Sequence, residues 1–266
     1  AHNAMPDARR ARPLPQPVRN VASVIPAAAP FVTFYDAPTS ERAELSGTTF
    51  DNWIAKTANL LRDEYSIEPG DRVGVNLPIH WLTSVWIGAI WQVGATVVAG
   101  PNLAPGNPDN LDLAVIGPTG VPESAHPAFD TVACSLRPLG LPFTQQLPVG
   151  IADYSSEVRI HGDHFGPPEA MLPGQAALIL DDRCWTPAEA SADAAGLCDR
   201  WGMTKGGRLL LADRGDTELP AAIWLALLSV PRAAHGSLVI VRNADPDTLD
   251  AIAKQEHVSA VVTNRS

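Results

Sequence analysis

The sequence has little charge, few cysteines and more acidic than basic residues. Only 18% of its 266 residues are charged, and 19 Lys and Arg against 29 Asp and Glu give a net charge of −10. A nucleic-acid-binding domain normally carries a basic face, so we expect no nucleic-acid partner. The three cysteines, Cys134, Cys184 and Cys198, show no Cys-x-x-Cys spacing. We therefore expect a fold that needs neither disulfides nor a metal, in a reducing cytoplasm.

No segment has the pattern of a membrane span or a secretion signal. Between Arg72 and Asp109 no charged residue occurs, and this stretch is long enough to cross a bilayer. Polar residues, a proline and a glycine turn divide it into a strand, a helix and another strand: Asn76, Pro78, His80, Gln92 and Gly94. We therefore expect no membrane span. Residues 1–30 are expected to form a mobile arm rich in Pro and Arg, and whether residues 1–5 are native stays open.

Apolar residues, by contrast, make up 45% of the chain, and their pattern repeats. A helix with a tryptophan or tyrosine near its end, a Gly turn and an apolar strand recur after a shift of 136 positions. Farther along, the helix around Trp86 is matched by the helix around Trp224. The segment Gly94 to Val98 is matched by Gly236 to Ile240, so that the shift grows to 142. We interpret the apolar and aromatic residues of these helices as packing faces of a protein core rather than as cofactor sites.

The repeated order of helix, strand, helix and strand predicts the fold class. Nearly all-apolar strands that alternate with helices indicate an α/β fold, with two pseudo-symmetric subdomains of mostly parallel sheet flanked by helices. The predicted subdomains cover residues 31–116 and 175–266, joined by a Pro/Gly-rich connector at 117–174. Strands are expected at Leu113 to Ile116, Ala177 to Leu180, Ala260 to Val262 and, in the connector, Glu157 to Ile160. Further helices are expected over Leu219 to Val230 and after the N-cap Asp245.

Four segments in this order resemble the adenylate-forming enzymes, which include acyl-CoA synthetases, luciferases and peptide-synthetase adenylation domains. They are Arg42-Ala43-Glu44-Leu45-Ser46, the helix Phe50 to Tyr65, Pro69-Gly70-Asp71-Arg72-Val73 and Gly94-Ala95-Thr96-Val97-Val98. The resemblance runs from about Phe31 to Thr263. It implies the two α/β subdomains that open the N-terminal domain of these enzymes. More narrowly, the chain resembles a short family of truncated relatives from high-GC bacteria.

The resemblance also implies where ATP phosphates would bind. The enzymes place a Ser/Thr/Gly-rich loop ending in Pro-Lys-Gly between a strand and the helix of the second subdomain. Small residues let backbone N–H groups approach the phosphates, and the lysine offsets their charge. Here that position reads Asp181-Asp182-Arg183-Cys184, with two carboxylates where a triphosphate would lie. The nearby Thr204-Lys205-Gly206-Gly207 is predicted to be a helix-to-strand turn instead.

One polar cluster remains as a candidate for other chemistry. His161 and His164 flank Gly162 and Asp163, and two histidines with a carboxylate could hold a metal or transfer protons. The surrounding glycines and prolines favour a turn that lines a cleft, so we expect no metal site. Other nucleotide and hydrolase motifs, such as Gly-x-Ser-x-Gly or Gly-x-Gly-x-x-Gly after a strand, do not occur in the sequence.

These observations predict a non-catalytic relative of AMP-forming acyl-CoA synthetases that acts by ligand binding or protein assembly. We expect no cofactor, because the resemblance implies a phosphate loop, a segment that contacts adenine and a C-terminal domain with a catalytic lysine, and the sequence shows none of them. Two alternatives stay open. One is a binding protein for an acyl, nucleotide or CoA group with residual or new activity, and the other is a regulatory or scaffold subunit of a full-length synthetase. A homo-oligomer or a protein partner is expected.

Overall fold

A computed structural model describes residues 28–100, 110–126, 128–172, 174–213 and 219–263. Most of the predicted arm, residues 1–27, lies outside these ranges. Within them the chain forms twelve strands in two sheets. Numbered in chain order, the strands are β1 (Pro30–Asp36), β2 (Glu41–Ser46), β3 (Arg72–Asn76), β4 (Thr96–Ala99), β5 (Leu113–Ile116), β6 (Asp130–Ala133), β7 (Ile151–Asp153), β8 (Leu178–Leu180), β9 (Arg183–Trp185), β10 (Arg208–Asp213), β11 (Ser237–Arg242) and β12 (Ala260–Thr263).

Seven α-helices connect and cover these strands in the described ranges. They are α1 (Gly47–Asp63), α2 (Trp81–Gln92), α3 (Tyr154–Glu157), α4 (Pro187–Arg200), α5 (Ala221–Ala226), α6 (Ser229–Ala233) and α7 (Pro246–Gln255). Polar side chains start several of them as N-caps, because the first backbone N–H groups of a helix have no partner inside it. Ser46 caps α1, Thr186 caps α4 and Asp245 caps α7, the last as predicted.

The predicted fold class is confirmed. The larger sheet has the order β7-β6-β5-β3-β4-β8-β9 and the smaller one β12-β10-β11-β1-β2. All neighbouring strands are parallel except in the hairpins β1–β2 and β8–β9. The strands predicted at 113–116, 177–180 and 260–262 are present as β5, β8 and β12.

The internal repeat appears as two copies of one element order. Each copy has a hairpin, a helix, a strand, a second helical segment and a strand parallel to the first: β1–β2, α1, β3, α2, β4, and β8–β9, α4, β10, α5 with α6, β11. The turn before β3 needs Gly70 at φ +110°, and the turn before β10 needs Gly206 at φ +80°, which are left-handed values suited to glycine. Arg72 lies opposite Thr96 in one copy and Arg208 opposite Ser237 in the other. The shift at the last strand is therefore 237 − 96 = 141, and the predicted 142 is wrong by one residue.

The two copies exchange their hairpins. The hairpin β1–β2 precedes α1 but pairs with β11 of the second copy, where Val32 lies opposite Leu238. The hairpin β8–β9 precedes α4 but pairs with β4 of the first copy, where Val97 lies opposite Leu178. Each sheet is thus built from both halves of the chain. The predicted boundaries of the arm, the two subdomains and the connector remain predictions.

Two predicted elements are wrong. Residues 157–160 do not form a strand, since α3 ends at Glu157 and Val158–Ile160 is a single 3-10 turn. Tyr154 and Val158 are both buried, and their spacing of four residues fits one face of a helix rather than a strand. The helix predicted over 219–230 is divided into α5 and α6. Pro231 explains the break, because its ring would collide with the carbonyl of Leu227 in a continuous helix.

The core lies between the sheets and the repeated helices. Trp86 is fully buried and Trp224 is 3% exposed, as expected for packing residues. On α2, every residue from Trp81 to Ile90 is buried. A Cβ at Gly88 would lie 2.6 Å from the Ile54 side chain, so α1 and α2 pack closely at this position and a larger residue would require Ile54 to move. Among the described residues, no helix is both long and apolar enough to cross a membrane.

Candidate functional site

The position predicted for an ATP phosphate loop is occupied by a tight hairpin. Leu180 pairs with Arg183 across the antiparallel strands β8 and β9, which leaves Asp181 and Asp182 as the two turn residues. Asp181 has φ +52°, a left-handed conformation that aspartate tolerates in turns. Both aspartates are exposed. A turn of this length gives no loop whose backbone N–H groups could surround a triphosphate.

Arg183 does not neutralise the two turn aspartates. Its guanidinium lies 3.0 Å from the carboxylate of Asp193 on α4 and 4.2 Å from the ring centre of Trp185. The indole N–H of Trp185 donates to the same Asp193 oxygen at 2.9 Å. The cation of this turn is therefore paired with a carboxylate of the next helix. Cys184, the fourth predicted residue, is an exposed free thiol on β9.

The N-terminus of α4 follows the hairpin and already carries a carboxylate of the chain itself. The Thr186 hydroxyl accepts from the backbone N–H of Glu189, and the Glu189 carboxylate accepts from the backbone N–H and the hydroxyl of Thr186. These hydrogen bonds from the backbone and side chain of Thr186 lower the pKa of Glu189. A helix N-terminus attracts anions, and here Glu189 supplies the anion.

The segment Thr204–Gly207 is a structural turn, as predicted. It lies between α4 and β10, and the backbone N–H of Gly206 donates to Ala234 at 2.8 Å. A Cβ at Gly236 would lie 1.9 Å from the Gly207 carbonyl oxygen, so the turn is packed against the start of β11. The backbone N–H groups of Gly206 and Gly207 both donate to carbonyls of the protein, so these two groups are not available to a phosphate.

The structure separates the members of the predicted His161 cluster. The His161 side chain is only 8% exposed. It lies 4.0 Å from Asp63, the last residue of α1, and 3.8 Å from Glu64, the residue that follows α1. Asp163 and His164 are exposed. The backbone of this loop is held by Asn59, whose amide donates to the carbonyls of Gly162 and His164. Across the described residues, no group of three His, Cys, Asp or Glu side chains is arranged to hold a metal ion.

A groove that the sequence analysis missed lies beside this loop. It has a volume of about 430 Å³ and is lined by side chains from α1 and from the connector: Thr49, Asn52, Trp53, Lys56, Leu139 and Arg159. The Lys56 ammonium donates to the His161 carbonyl at 2.6 Å, and the Arg159 guanidinium donates to the Gly140 carbonyl at 3.0 Å. No sequence signal could have joined these residues, because the connector that carries two of them has no repeat and weak periodicity.

Comparisons with known proteins give one relative in sequence and several in structure. A TIGR03089 family protein of Mycobacterium tuberculosis (strain ATCC 25618 / H37Rv) is 38% identical over 241 residues, which cover 88% of this chain and 91% of that protein. No family model matches the sequence.

The structural similarity is to acyl-CoA synthetases. The acyl-CoA synthetase of Brucella canis superposes with a TM-score of 0.66 over 90% of this chain and 45% of that chain. The acetoacetyl-CoA synthetase from Streptomyces lividans has a TM-score of 0.64 over 88% of this chain and 40% of that chain. Both are 15% identical to this chain, so the similarity concerns the fold alone. The chain spans less than half the length of either enzyme.

Proposed function

The chain belongs to the TIGR03089 family and has an acyl-CoA synthetase-like fold, and from this premise we propose that it is a non-catalytic member of the adenylate-forming superfamily. It acts by binding a ligand or by assembling with protein. The single observation that supports the loss of catalysis is the two-residue turn Asp181–Asp182 in the place of a phosphate loop.

The charges around this turn argue against binding of a triphosphate. Two exposed carboxylates repel phosphate, Arg183 is paired with Asp193, and Glu189 occupies the following helix N-terminus. A charge-assisted hydrogen bond contributes about 1.5 to 3 kcal/mol, so the loss of two or three of them weakens ATP binding by several orders of magnitude.

Exchange of labelled pyrophosphate into ATP tests the proposal directly. The assay is run with short, medium and long carboxylic acids, and the expected result is no exchange above a blank without protein. Exchange that is lost in Arg183→Ala but kept in the control Arg200→Ala would overturn the proposal. Arg200 is exposed at the end of α4 and thus controls for the loss of one surface cation from the same helix region.

The groove between α1 and the connector supports ligand binding as the mode of action. Its volume of about 430 Å³ falls within the usual range for small-molecule sites, and Lys56 and Arg159 give it two positive charges. A thermal-shift screen with acyl, nucleotide and CoA fragments tests this. A ligand at one hundred times its dissociation constant adds about 2.7 kcal/mol to the free energy of unfolding.

Exposed apolar side chains support assembly as the second mode. Val149 is 93% exposed and Leu172 is 53% exposed, and both belong to the connector. Light scattering at increasing protein concentration tests for a homo-oligomer, and co-purification tests for a synthetase partner. A strict monomer that retains no other protein would contradict assembly while leaving ligand binding intact.

A further inference from the structure

The groove beside α1 combines positive charge with apolar surface. Lys56 on α1 and Arg159 after α3 each donate one hydrogen bond to a backbone carbonyl, at 2.6 and 3.0 Å. An ammonium group has three N–H donors and a guanidinium has five, so most of their donors are not used by these bonds. Neither cation is a member of an ion pair in the part of the chain that the structure describes. In a chain with a net charge of −10, two cations on one groove without an acidic partner are a distinct local feature.

The apolar side of the groove is formed by Trp53 and Leu139. The Trp53 ring is half-buried and is held edge-on by Trp81, with ring centres 5.3 Å apart. Gly140 lies against the same ring, since a Cβ there would be 3.4 Å from Trp53. The indole is thus fixed from behind while part of it faces the groove.

Leu139 is held at the groove in an unfavourable backbone conformation. Its φ is +58° and its ψ is 19°, in the left-handed region, and its side chain is 75% exposed. A non-glycine residue pays an energetic cost for this conformation, and burial of the leucine side chain does not offset it. Glycine or asparagine would form the same turn at lower cost. The backbone of this turn also serves the fold, since Leu139 forms a backbone hydrogen bond with the Glu41 carboxylate. The exposed Leu139 side chain places an apolar surface at the edge of the cationic groove.

We propose that this groove binds a small organic anion whose carboxylate or phosphate lies between Lys56 and Arg159 and whose apolar part packs against Trp53 and Leu139. This inference rests on the proposal that the chain acts by binding a ligand. The groove is separate from the β8–β9 hairpin, so an absence of anion binding in the groove would leave the pyrophosphate-exchange result unchanged. Conversely, exchange activity at the hairpin would not create binding in the groove.

The test uses titration calorimetry with four eight-carbon probes at concentrations at which they do not aggregate: octanoate, octyl phosphate, octanol and octylammonium. Saturable binding of octanoate or octyl phosphate at one site is expected, about tenfold or more tighter than binding of octanol, because each tenfold step corresponds to about 1.4 kcal/mol of head-group interaction. Octylammonium is expected not to bind. The ratio of the two anions identifies the head group as carboxylate or phosphate. Equal binding of the neutral or cationic probe, or no binding of either anion, overturns the proposal.

Variants then assign the binding to the groove. Arg159→Met is expected to weaken binding of the anion about tenfold, whereas Arg159→Lys, which keeps the charge, is expected to retain most of it. Leu139→Gly is the more diagnostic change, because it relieves the left-handed strain and removes the apolar contact. It is expected to raise the free energy of unfolding while weakening binding several-fold.

Ser66→Gly is the matched control for Leu139→Gly. Ser66 is exposed, has φ +53° and follows α1 outside the groove. This change is expected to raise the free energy of unfolding without altering binding. Since Leu139→Gly should fold at least as well as the unaltered chain, a loss of binding in it does not reflect misfolding. Unchanged affinity in both Leu139→Gly and Arg159→Met would show that the anion binds elsewhere and would overturn the proposal.

Discussion

The buried imidazole of His80 makes the free energy of unfolding of this chain depend on pH. This imidazole is 1% exposed, lies at the start of α2, and accepts the backbone N–H of Leu82 through Nδ1 at 3.1 Å. The ring of Phe34 from the other sheet lies 4.4 Å away and that of Trp81 lies 5.6 Å away. Burial, and to a smaller extent the positive charge of Arg242, lowers the pKa of His80 to about 3. Protonation would place a charge in the core and would also remove the Nδ1 acceptor that caps the helix.

The magnitude follows from linkage between protonation and folding. The unfolded chain binds a proton at His80 below its ordinary pKa of about 6.5, whereas the folded chain does not until about 3. The contribution of neutral His80 to the free energy of unfolding is therefore complete above about pH 6.5 and is lost as the pH falls toward 3. Each pH unit corresponds to about 1.4 kcal/mol, so the two units from 6.5 to 4.5 remove about 2.7 kcal/mol.

Urea unfolding of the unaltered chain and of His80→Asn at about pH 7.5 and 4.5 measures this difference. Asparagine can still accept the Leu82 N–H as an N-cap but does not titrate. The unaltered chain is expected to lose about 2.7 kcal/mol more than His80→Asn between the two pH values. The control is His257→Asn at an exposed position with φ +49°, which asparagine tolerates. Equal pH-dependent losses in the unaltered chain and in His80→Asn would refute the reasoning.

Two further predictions concern packing and a buried charge. Gly236→Ala is expected to destabilise the fold by about 3 kcal/mol or more in urea unfolding, because the new Cβ would lie 1.9 Å from a backbone carbonyl oxygen. The control is Gly196→Ala within α4, where the space is open. This change should stabilise the fold by about 0.5 to 1 kcal/mol, because alanine is favoured over glycine inside a helix. Burial raises the pKa of Glu256, but a hydrogen bond from Tyr35 and the charge of Arg208, 2.9 Å away, outweigh burial and lower that pKa. Glu256→Gln is expected to lower the free energy of unfolding by about 2 to 3 kcal/mol at neutral pH. The loss should become smaller as the pH falls below the ordinary pKa of a glutamate, and a loss independent of pH would contradict this.

The repeat and the elements within it could be predicted because they depend on local patterns. The apolar spacing on α1 and α4, the cap at Asp245 and the all-apolar strands each follow from a few neighbouring residues. The one-residue error at β11 arose where His235, not glycine, takes the left-handed turn position at φ +49°. The first copy has Gly94 at this left-handed position, whereas in the second copy the glycine, Gly236, lies one position later.

The hairpin exchange and the groove could not be predicted from local patterns. The pairings of β1 with β11 and of β8 with β4 join residues far apart in the chain, so the choice of sheet depends on long-range packing that the sequence does not display. The groove joins α1 to Leu139, whose backbone conformation runs against its residue type. For the predicted phosphate-loop position, the substitution by two aspartates was visible in the sequence, but the pairing of Arg183 with Asp193 required the structure.

The exchanged hairpins also determine the order in which this chain can fold. Strand β1 has its parallel neighbour only in β11, and their paired residues Val32 and Leu238 lie at opposite ends of the described chain. During synthesis the hairpin β1–β2 therefore leaves the ribosome long before β11, its parallel partner in the smaller sheet. In the same way, β4 of the larger sheet is synthesised well before its partner β8. Such distant pairings slow folding and expose unpaired strand edges while it proceeds. Neither half is expected to reach its native sheet without the other, so the two copies fold as one cooperative unit.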